Sequence, residues 1–337
     1  MWQRFLQYAG VEKCLIGASM FRIIGGFAII IQYLLNYKQR HYLYGPTGVW
    51  PYEYFRQTVH ASGSFSIYAW NSSPLFFELV FHLGIVVAFL WMIGFKTRLL
   101  TFLNYVFWWS MHERCPGIWD GGDNLMQLVL VYALFANVGA HFSVDPTRPS
   151  PSPLRRQVLA MLHNSAILAF ALQICLVYGI AGLTKVQGES WRDGTAIYYA
   201  LRGGEFVWPG VSEHIYQSRW SVLALSYATV AFQVSFPFLV FLNRYTRNLA
   251  IACGLLFHLG IGLVMGLITF ALFLIAADLA LVGDAEYRAI GNLVLRVVRR
   301  RSQAIRALVP SLRSVGVGAH EGRGEAVQVT EAERSET

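Results

Sequence analysis

The side chain best placed for chemistry is Lys185, within the stretch VYGIAGLTKVQGESWRDG at residues 177–194. It follows the small residues Ala181 and Gly182, which let a neighbouring helix come close and remove the amine from water. A lysine held in this way can lose its proton and act as a base. The alternative is a structural lysine whose ammonium group extends to lipid headgroups. We predict that Lys185 is a catalytic base, with Trp191 beside it at the membrane interface.

Ionisable side chains also occur inside apolar stretches. Placing such a side chain inside a membrane costs free energy, so each one is a candidate for function. Arg22 is one. Glu78 and His82 are four residues apart, so they share one face of a helix. A structural alternative is that Arg22 and Glu78 form an ion pair inside the helix bundle. Asp123 begins a further apolar stretch, where it could act as a helix N-cap.

Two more polar side chains, His258 and Asp278, lie in the last long apolar stretch. His258 is either a buried histidine with its hydrogen bonds satisfied or a catalytic group that orients substrate or stabilises an oxyanion. We predict that it works with Lys185. The candidates for holding a cofactor are Trp191, Arg22, Glu78, His82 and Asp123. No metal site is predicted, because the four cysteines are isolated and form no Cys-x-x-Cys motif.

The composition indicates whether these groups lie in a water-soluble protein or in a membrane protein. The chain of 337 residues is 55% hydrophobic and 14% charged, with a mean hydropathy of +0.44. These values are typical of an integral membrane protein. The net charge of +8 comes partly from seven arginines between Arg288 and Arg313 with no acidic residue among them. That pattern is typical of a segment beside a membrane and does not indicate nucleic-acid binding.

The apolar segments predict an all-α bundle of about eight transmembrane helices. With eight helices, the basic connections around Lys96, Arg155 and Arg244 all fall on the face of the arginine-rich segment. Basic loops face the cytoplasm, so both termini are predicted to be cytoplasmic and the protein to lie in the cell membrane. The predicted segments are residues 14–37, 74–95, 99–111, 124–142, 158–184, 220–242 and 249–282, the last as two short helices that meet near Gly266.

The chain divides into three predicted regions. Residues 1–283 form the transmembrane domain, with connections on the outer face at 38–73, 112–123 and 185–219. Residues 284–313 form a basic amphipathic helix at the anionic inner leaflet. Residues 314–337 are rich in Gly, Ser and Glu and are predicted to be a disordered acidic tail.

Residues of about 15–283 resemble the HTTM-domain proteins, a family related to the vitamin K-dependent gamma-carboxylase. Seven segments carry the resemblance in the same order: FRIIGGF, LYGPTGVWP, LGIVVAFLWMIGFKTR, GGDNLMQLVLVYALF, HFSVD, YGIAGLTKVQGESWRDGTAIYYAL and LLFHLGIGLVMGLITFALFLIAADL. The resemblance implies that Lys185 is the base that starts oxygenation of a reduced quinone. It also implies a role for His258 in the FH segment.

The sequence departs from the carboxylase in two ways. The carboxylase continues into a large lumenal region that helps to hold its peptide substrate, whereas a short basic stretch follows the apolar region here. A histidine expected near the start of the fourth apolar segment is missing, and Asp123 lies nearby. Carboxylation of a peptide is therefore not the expected reaction.

Two classes of function remain open. The first is an oxidoreductase or carboxylase-like enzyme that acts on a membrane quinol, with reduced quinone as cofactor and Lys185 as base. The second is a non-enzymatic membrane partner for export of, or immunity to, a secreted peptide. A transporter fits less well, because the sequence shows no inverted repeat and no paired broken helices. The predicted partners are the lipid bilayer, a quinol and a small peptide or organic substrate.

Overall fold

The computed structural model describes residues 10–147, 150–203 and 208–317, with side chains described up to residue 302. Helices and two short 3-10 turns, Ile67–Ala69 and Pro116–Ile118, make up the regular structure of this part of the chain. In chain order the helices are α1 (Leu15–Leu35), α2 (Arg40–Tyr44), α3 (Tyr52–Ala61), α4 (Pro74–Met92), α5 (Thr97–Arg114), α6 (Gly121–Ala133), α7 (Pro153–Gln187), α8 (Glu189–Arg192), α9 (Ala196–Ala200), α10 (Val211–Tyr216), α11 (Arg219–Leu242), α12 (Arg244–Val264), α13 (Ile268–Leu279) and α14 (Asp284–Val317).

Eight of these helices correspond to the eight predicted segments: α1, α4, α5, α6, α7, α11, α12 and α13. Within the described residues, five are long and apolar enough to cross a membrane, namely α1, α4, α7, α11 and α12, or six if α13 and α14 are counted as one span. Helix α6 ends at Ala133 instead of the predicted residue 142, so it is about 20 Å long. A hydrocarbon core is about 30 Å thick, so eight complete crossings remain a prediction.

Helices α1 and α4 run in opposite directions, and the first part of α7 lies beside the start of α1, where Nε2 of His163 is 2.7 Å from the carbonyl oxygen of Lys13. Near the start of α1, Arg22 contacts the last turn of α4 through the carbonyl of Trp91. Near the end of α1, Tyr33 packs against Phe81 with 5.0 Å between ring centroids. The bundle thus has one end that carries the α4–α5 turn, the Lys96 end, and an opposite end that carries the last turn of α7, the Lys185 end.

Glycines determine how closely some helices approach. A Cβ atom on Gly182 of α7 would lie 2.9 Å from the backbone nitrogen of Val234 in α11. Residue Gly266 has a φ of +72° and separates α12 from α13. That conformation costs glycine little, and the prediction of two helices that meet near Gly266 is confirmed.

Residues 285–337 form a second compact unit, whose described part belongs to α14. The helix covers the predicted amphipathic segment 284–313 and continues to Val317. Its apolar side chains Ile290, Leu293 and Val297 are about half exposed. The predicted disordered tail at 314–337 therefore begins within a helix, and residues 318–337 lie outside the described residues.

Candidate functional site

A closed hydrogen-bond network joins three helices in the interior of the bundle. The hydroxyl of Tyr178 in α7 donates to Oδ2 of Asp278 in α13 at 2.8 Å. The same hydroxyl lies 2.8 Å from Nε2 of His258 in α12. Because a hydroxyl has a single hydrogen, a Tyr178 that donates to Asp278 accepts the hydrogen of Nε2. His258 and Asp278, the two polar side chains of the last apolar stretch, are both buried, and Tyr178 connects them.

The network is almost completely removed from solvent. Tyr178, His258 and Asp278 are 1%, 3% and 0% exposed. Gly254 makes room for them, because a Cβ at this position would lie 2.7 Å from Oδ2 of Asp278 and 2.8 Å from the Tyr178 hydroxyl. The ring of Phe236 covers Tyr178 at a centroid distance of 4.0 Å. A hydrogen bond between such groups is strong, but a polar atom left unpaired there is costly.

Within the part of the chain that the structure describes, two atoms of this network have no hydrogen-bond partner, Nδ1 of His258 and Oδ1 of Asp278. An unsatisfied buried polar atom costs about 1–3 kcal/mol. Native structures contain few of them, and each calls for an explanation such as a catalytic role or a bound molecule. The network therefore has one ring nitrogen and one carboxyl oxygen available to a further partner.

An apolar cavity of about 320 Å³ lies between α12 and α13, the two helices that carry His258 and Asp278. Its walls include Gly262, Leu263, Ile268 and Ala271. Gly262 is four residues after His258, and Ala271 is seven residues before Asp278, spacings that place each pair on one helix face. The cavity is apolar and lies toward the Lys185 end from the polar network. Small-molecule sites combine an apolar cavity with a few polar groups in this way.

Lys185 lies on the same helix face as Tyr178, because seven residues make nearly two full turns of α7. Two turns separate them by about 10 Å along the axis. The ammonium nitrogen lies 3.4 Å from the carbonyl oxygen of Ala181 and 5.3 Å from the centroid of the Trp191 ring. The structure thus brings Lys185 and Trp191 together, while the described contacts of Lys185 do not include His258.

The predicted ion pair between Arg22 and Glu78 is wrong. Arg22 is completely buried, and it donates to the carbonyl oxygens of Trp91 at 3.4 Å, His141 at 3.1 Å and Phe142 at 2.7 Å. Because α1 and α4 are antiparallel, Arg22 faces the end of α4, whereas Glu78 is in its first turns. Fourteen residues of helix correspond to about 20 Å, which no side chain can bridge. Arg22 instead holds backbone carbonyls at the Lys96 end.

Glu78 belongs to a different cluster near the Lys185 end. Its carboxylate accepts hydrogen bonds from Arg40, the closest from Nη2 at 2.9 Å, and lies 2.7 Å from Nε2 of His41. As predicted, His82 shares the face of Glu78, with Nδ1 3.2 Å from Oε2. The other ring nitrogen of His82 is 3.1 Å from the hydroxyl of Tyr37. Glu78 and His82 thus lie far from the interior network and fasten α2 to α4.

Asp123 is not the N-cap of α6, because Asp120 has that position. Asp120 accepts hydrogen bonds from the backbone of Gly122 at 2.7 Å and Asp123 at 3.0 Å. Asp123 completes the capping box by accepting the Asp120 N–H at 3.0 Å. Its other oxygen is 3.7 Å from Nε2 of His112. Asp123 therefore pairs with a buried histidine from α5, while it shares the capping role with Asp120.

Tyr178 was not predicted as a site residue, because a tyrosine in an apolar helix looks like an ordinary core residue. The spacing from Tyr178 through Gly182 to Lys185 could have found it, since all three share one helix face. His112 was predicted to lie in the outer connection 112–123, but it belongs to α5, which continues to Arg114. Among the described residues, no group of three or more His, Cys, Asp or Glu side chains could hold a metal ion.

Comparison with known proteins gives two matches. The model of the HTTM domain matches residues 19–282. The chain is similar to the sporulation-delaying protein SdpB of Bacillus subtilis (strain 168), with 22% identity over 267 residues, which cover 77% of this chain and 78% of SdpB. No solved structure matches the chain. Because the HTTM model covers the whole helical bundle from α1 to α13, the chain belongs to the HTTM domain family.

Proposed function

We propose that the protein is a membrane enzyme that removes a proton from a small, largely apolar substrate such as a reduced quinone. The observation that carries the proposal is the buried network of Tyr178, His258 and Asp278 beside an apolar cavity. Ionisable groups in the interior of a membrane protein are expensive, and they commonly mark substrate sites or proton pathways. The free Nδ1 of His258 and Oδ1 of Asp278 supply the polar contacts that such a substrate needs.

The cavity suits a reduced quinone in its chemistry. Leu259, Leu263 and Ile268 give it an apolar lining, which favours an aromatic ring over a charged metabolite. Its volume of about 320 Å³ is within the range of small-molecule sites. His258 is one helical turn from Gly262 of the cavity wall, so a substrate in the cavity would need to extend about one turn along α12 for its hydroxyl to reach the network. A substrate dissolved in the bilayer would reach this cavity without crossing water.

In the proposed reaction Lys185 is the base. Its neutral amine takes the proton of a substrate hydroxyl, so that the amine becomes ammonium and the hydroxyl becomes an oxyanion. His258 orients the hydroxyl or stabilises the oxyanion. Tyr178 and Asp278 hold the His258 ring in place, as a third group orients the base in many catalytic sites. Trp191 packs beside the Lys185 amine, while removal of the amine from water by the surrounding helices favours its neutral form.

The test uses the full chain in lipid nanodiscs with a reduced naphthoquinone and dioxygen as the electron acceptor. Loss of the reduced quinone is followed in the wild type and in the Lys185→Arg and His258→Gln variants. We expect both variants to fold and to lose turnover, because a guanidinium stays protonated and a glutamine cannot replace an imidazole. Tyr132→Phe serves as a control, since its hydroxyl makes one long hydrogen bond to Gln173 at 3.3 Å.

Each outcome bears on a separate part of the proposal. Full turnover in Lys185→Arg would show that Lys185 is not the base and would leave His258 as the candidate. Full turnover in both variants would remove the network from the reaction. A wild type that neither consumes nor binds the reduced quinone would reject the enzyme proposal altogether.

The second candidate function is a non-enzymatic partner in the export of a secreted peptide or in immunity to it. A second cavity, of about 360 Å³, favours this candidate because it lies among the short helices at the Lys185 end. Its lining mixes charged and aromatic side chains, including Asp193, Tyr198, Tyr216 and Arg219. Peptides are commonly recognised by such mixed surfaces. The name of the relative SdpB, a sporulation-delaying protein, agrees with a role outside metabolism.

This alternative predicts a different set of sensitive residues. Host cells with and without the chain are exposed to culture supernatant of the same host, and survival is measured. If the alternative is correct, Tyr216→Ala loses protection, whereas Lys185→Arg keeps it. Equal survival with and without the chain would reject an immunity role.

A further inference from the structure

The guanidinium of Arg114 is buried at the Lys185 end without a carboxylate partner. Arg114 ends α5 and is 1% exposed. Its Nη2 donates to the carbonyl oxygens of Gly45 and Trp50, and its carbon Cζ lies 4.7 Å from the centroid of the Phe55 ring. Among the described residues, no carboxylate lies within 4.0 Å of its nitrogens. A buried charge with only neutral partners is expensive.

The other terminal nitrogen of Arg114, Nη1, has no hydrogen-bond partner among the residues that the structure describes. The hydroxyl of Tyr68, which is 3% exposed, also has none. Both residues line one small cavity together with Asn71. Asn71 is exposed, and its side-chain oxygen accepts the backbone N–H of Ser73 at 2.7 Å, which leaves its amide nitrogen as a donor. The polar lining of the cavity is thus rich in hydrogen-bond donors.

The size of this cavity restricts its occupant. Its volume is about 10 Å³, roughly the room that one water molecule or one small ion needs. Tyr52 also lines the cavity, but its hydroxyl already donates to the carbonyl of Ala69 at 2.7 Å. A guanidinium nitrogen, a phenol hydroxyl and an amide nitrogen can all donate to an anion. Only an anion would also offset the charge of Arg114.

We propose that Arg114, Tyr68 and Asn71 form a binding site for a small monovalent anion of the size of chloride. The site lies at the base of the connection between α1 and α4, which contains α2 and α3. An anion bound there would fix this connection to the end of α5 through Arg114. The site is separate from the network of Tyr178 and His258, and it does not depend on the proposed enzyme activity.

The test measures the melting temperature of the full chain in nanodiscs at constant ionic strength, while sodium chloride replaces sodium gluconate. We expect the melting temperature of the wild type to rise with chloride and to reach a plateau, because a ligand that binds the folded state stabilises it. Arg114→Met should abolish the rise. Tyr68→Phe removes one oxygen only, and it should raise the half-saturating chloride concentration about 10-fold.

Arg22→Met is the matched control. Arg22 is also a buried guanidinium that donates to carbonyl groups, and it is at the opposite end of the bundle. This variant should melt at a lower temperature but keep the chloride dependence of the wild type. If Arg114→Met fails to fold, Tyr68→Phe alone decides.

Three results would overturn the proposal. The first is a wild type whose melting temperature does not change with chloride, which is expected if only water fills the cavity. The second is an equal chloride dependence in all three variants, which would indicate a general salt effect. The third is an unchanged half-saturating concentration in Tyr68→Phe, which would place the ion elsewhere.

Discussion

Glu78 is paired with Arg40, with 2.9 Å between its Oε1 and the Nη2 of the arginine, and not with the buried Arg22. The side chains of Arg40 and Glu78 are 19% and 26% exposed, so water reaches the pair and weakens it. The pair nevertheless joins α2 to α4 at the Lys185 end. Arg22 and Glu78, which could have formed a pair within the bundle, thus each bind a different set of partners.

This arrangement predicts the outcome of two double-mutant cycles. The Arg22→Met and Glu78→Gln changes should add in their effects on the free energy of unfolding, because the two residues share no partner. The Arg40→Gln and Glu78→Gln changes should be coupled by about 0.5–1 kcal/mol. The measurement is unfolding in mixed micelles. A clear coupling in the first cycle together with none in the second would contradict the structure.

The interior network gives a second prediction, for Tyr178→Phe. This change leaves Nε2 of His258 and Oδ2 of Asp278 without the hydroxyl that joins them. Loss of the hydroxyl should cost about 1–3 kcal/mol of unfolding free energy, because buried polar atoms lose their partner. Tyr132→Phe, whose hydroxyl bond to Gln173 is only part-buried, should cost less than 1 kcal/mol. Equal costs in the two variants would mean that the network does not hold the three helices.

A third prediction compares two glycines of α12. Gly254→Ala should destabilise the bundle by about 1–3 kcal/mol, because its Cβ would push against Asp278 and Tyr178. Gly260→Ala should be neutral or stabilising by up to about 1 kcal/mol, since nothing lies within 4 Å of its Cβ and alanine favours helix. Thermal unfolding of the two variants gives the comparison. If Gly254→Ala were more stable than the wild type, the backbone at residue 254 would not lie as close to Asp278 and Tyr178 as the structure has it.

The helical fold could be predicted from the sequence because apolar segments of limited length dictate helices in a membrane. The break at Gly266 and the shared face of Glu78 and His82 were predictable for the same local reasons. The predicted length of α6 was wrong, because apolar residues continue past Ala133, where the helix ends. Hydropathy measures the preference for lipid and not the hydrogen bonding that ends a helix.

The partners of the buried charges could not be predicted in the same way. Arg22 binds backbone carbonyls, which every residue carries, so no sequence pattern identifies them. Arg40 lies beyond the end of α1 and seemed an ordinary loop residue. The connection between His258 and Asp278 needed a third helix, because Tyr178 is 80 residues from one and 100 from the other. Such contacts depend on how the helices are arranged, which sequence spacing within one helix does not define.

The last prediction concerns the orientation of the bundle in the membrane. Because basic loops face the cytoplasm, the Lys185 end should face outward. Single cysteines at Ser62 and Gln217, both exposed at the Lys185 end, should react with a membrane-impermeant maleimide in intact cells. Cysteines at Pro151 and Ser302 should react only after the cells are opened.

The wild type, with its native cysteines Cys14, Cys115, Cys175 and Cys253, gives the background labelling to subtract. Ser212 is unsuitable as a label site because it is completely buried. Labelling of Gln217→Cys and Pro151→Cys from the same side would place both ends of α7 on one face of the membrane. In that case α7, a helix of 35 residues with an apolar centre, would not cross the bilayer. The proposed positions of the cavity and of the anion site relative to the membrane would then be wrong. Labelling of Pro151→Cys and Ser302→Cys from outside, without labelling of Ser62→Cys or Gln217→Cys, would show the reverse orientation, in which the arginines of α14 rather than Lys185 face the outer medium.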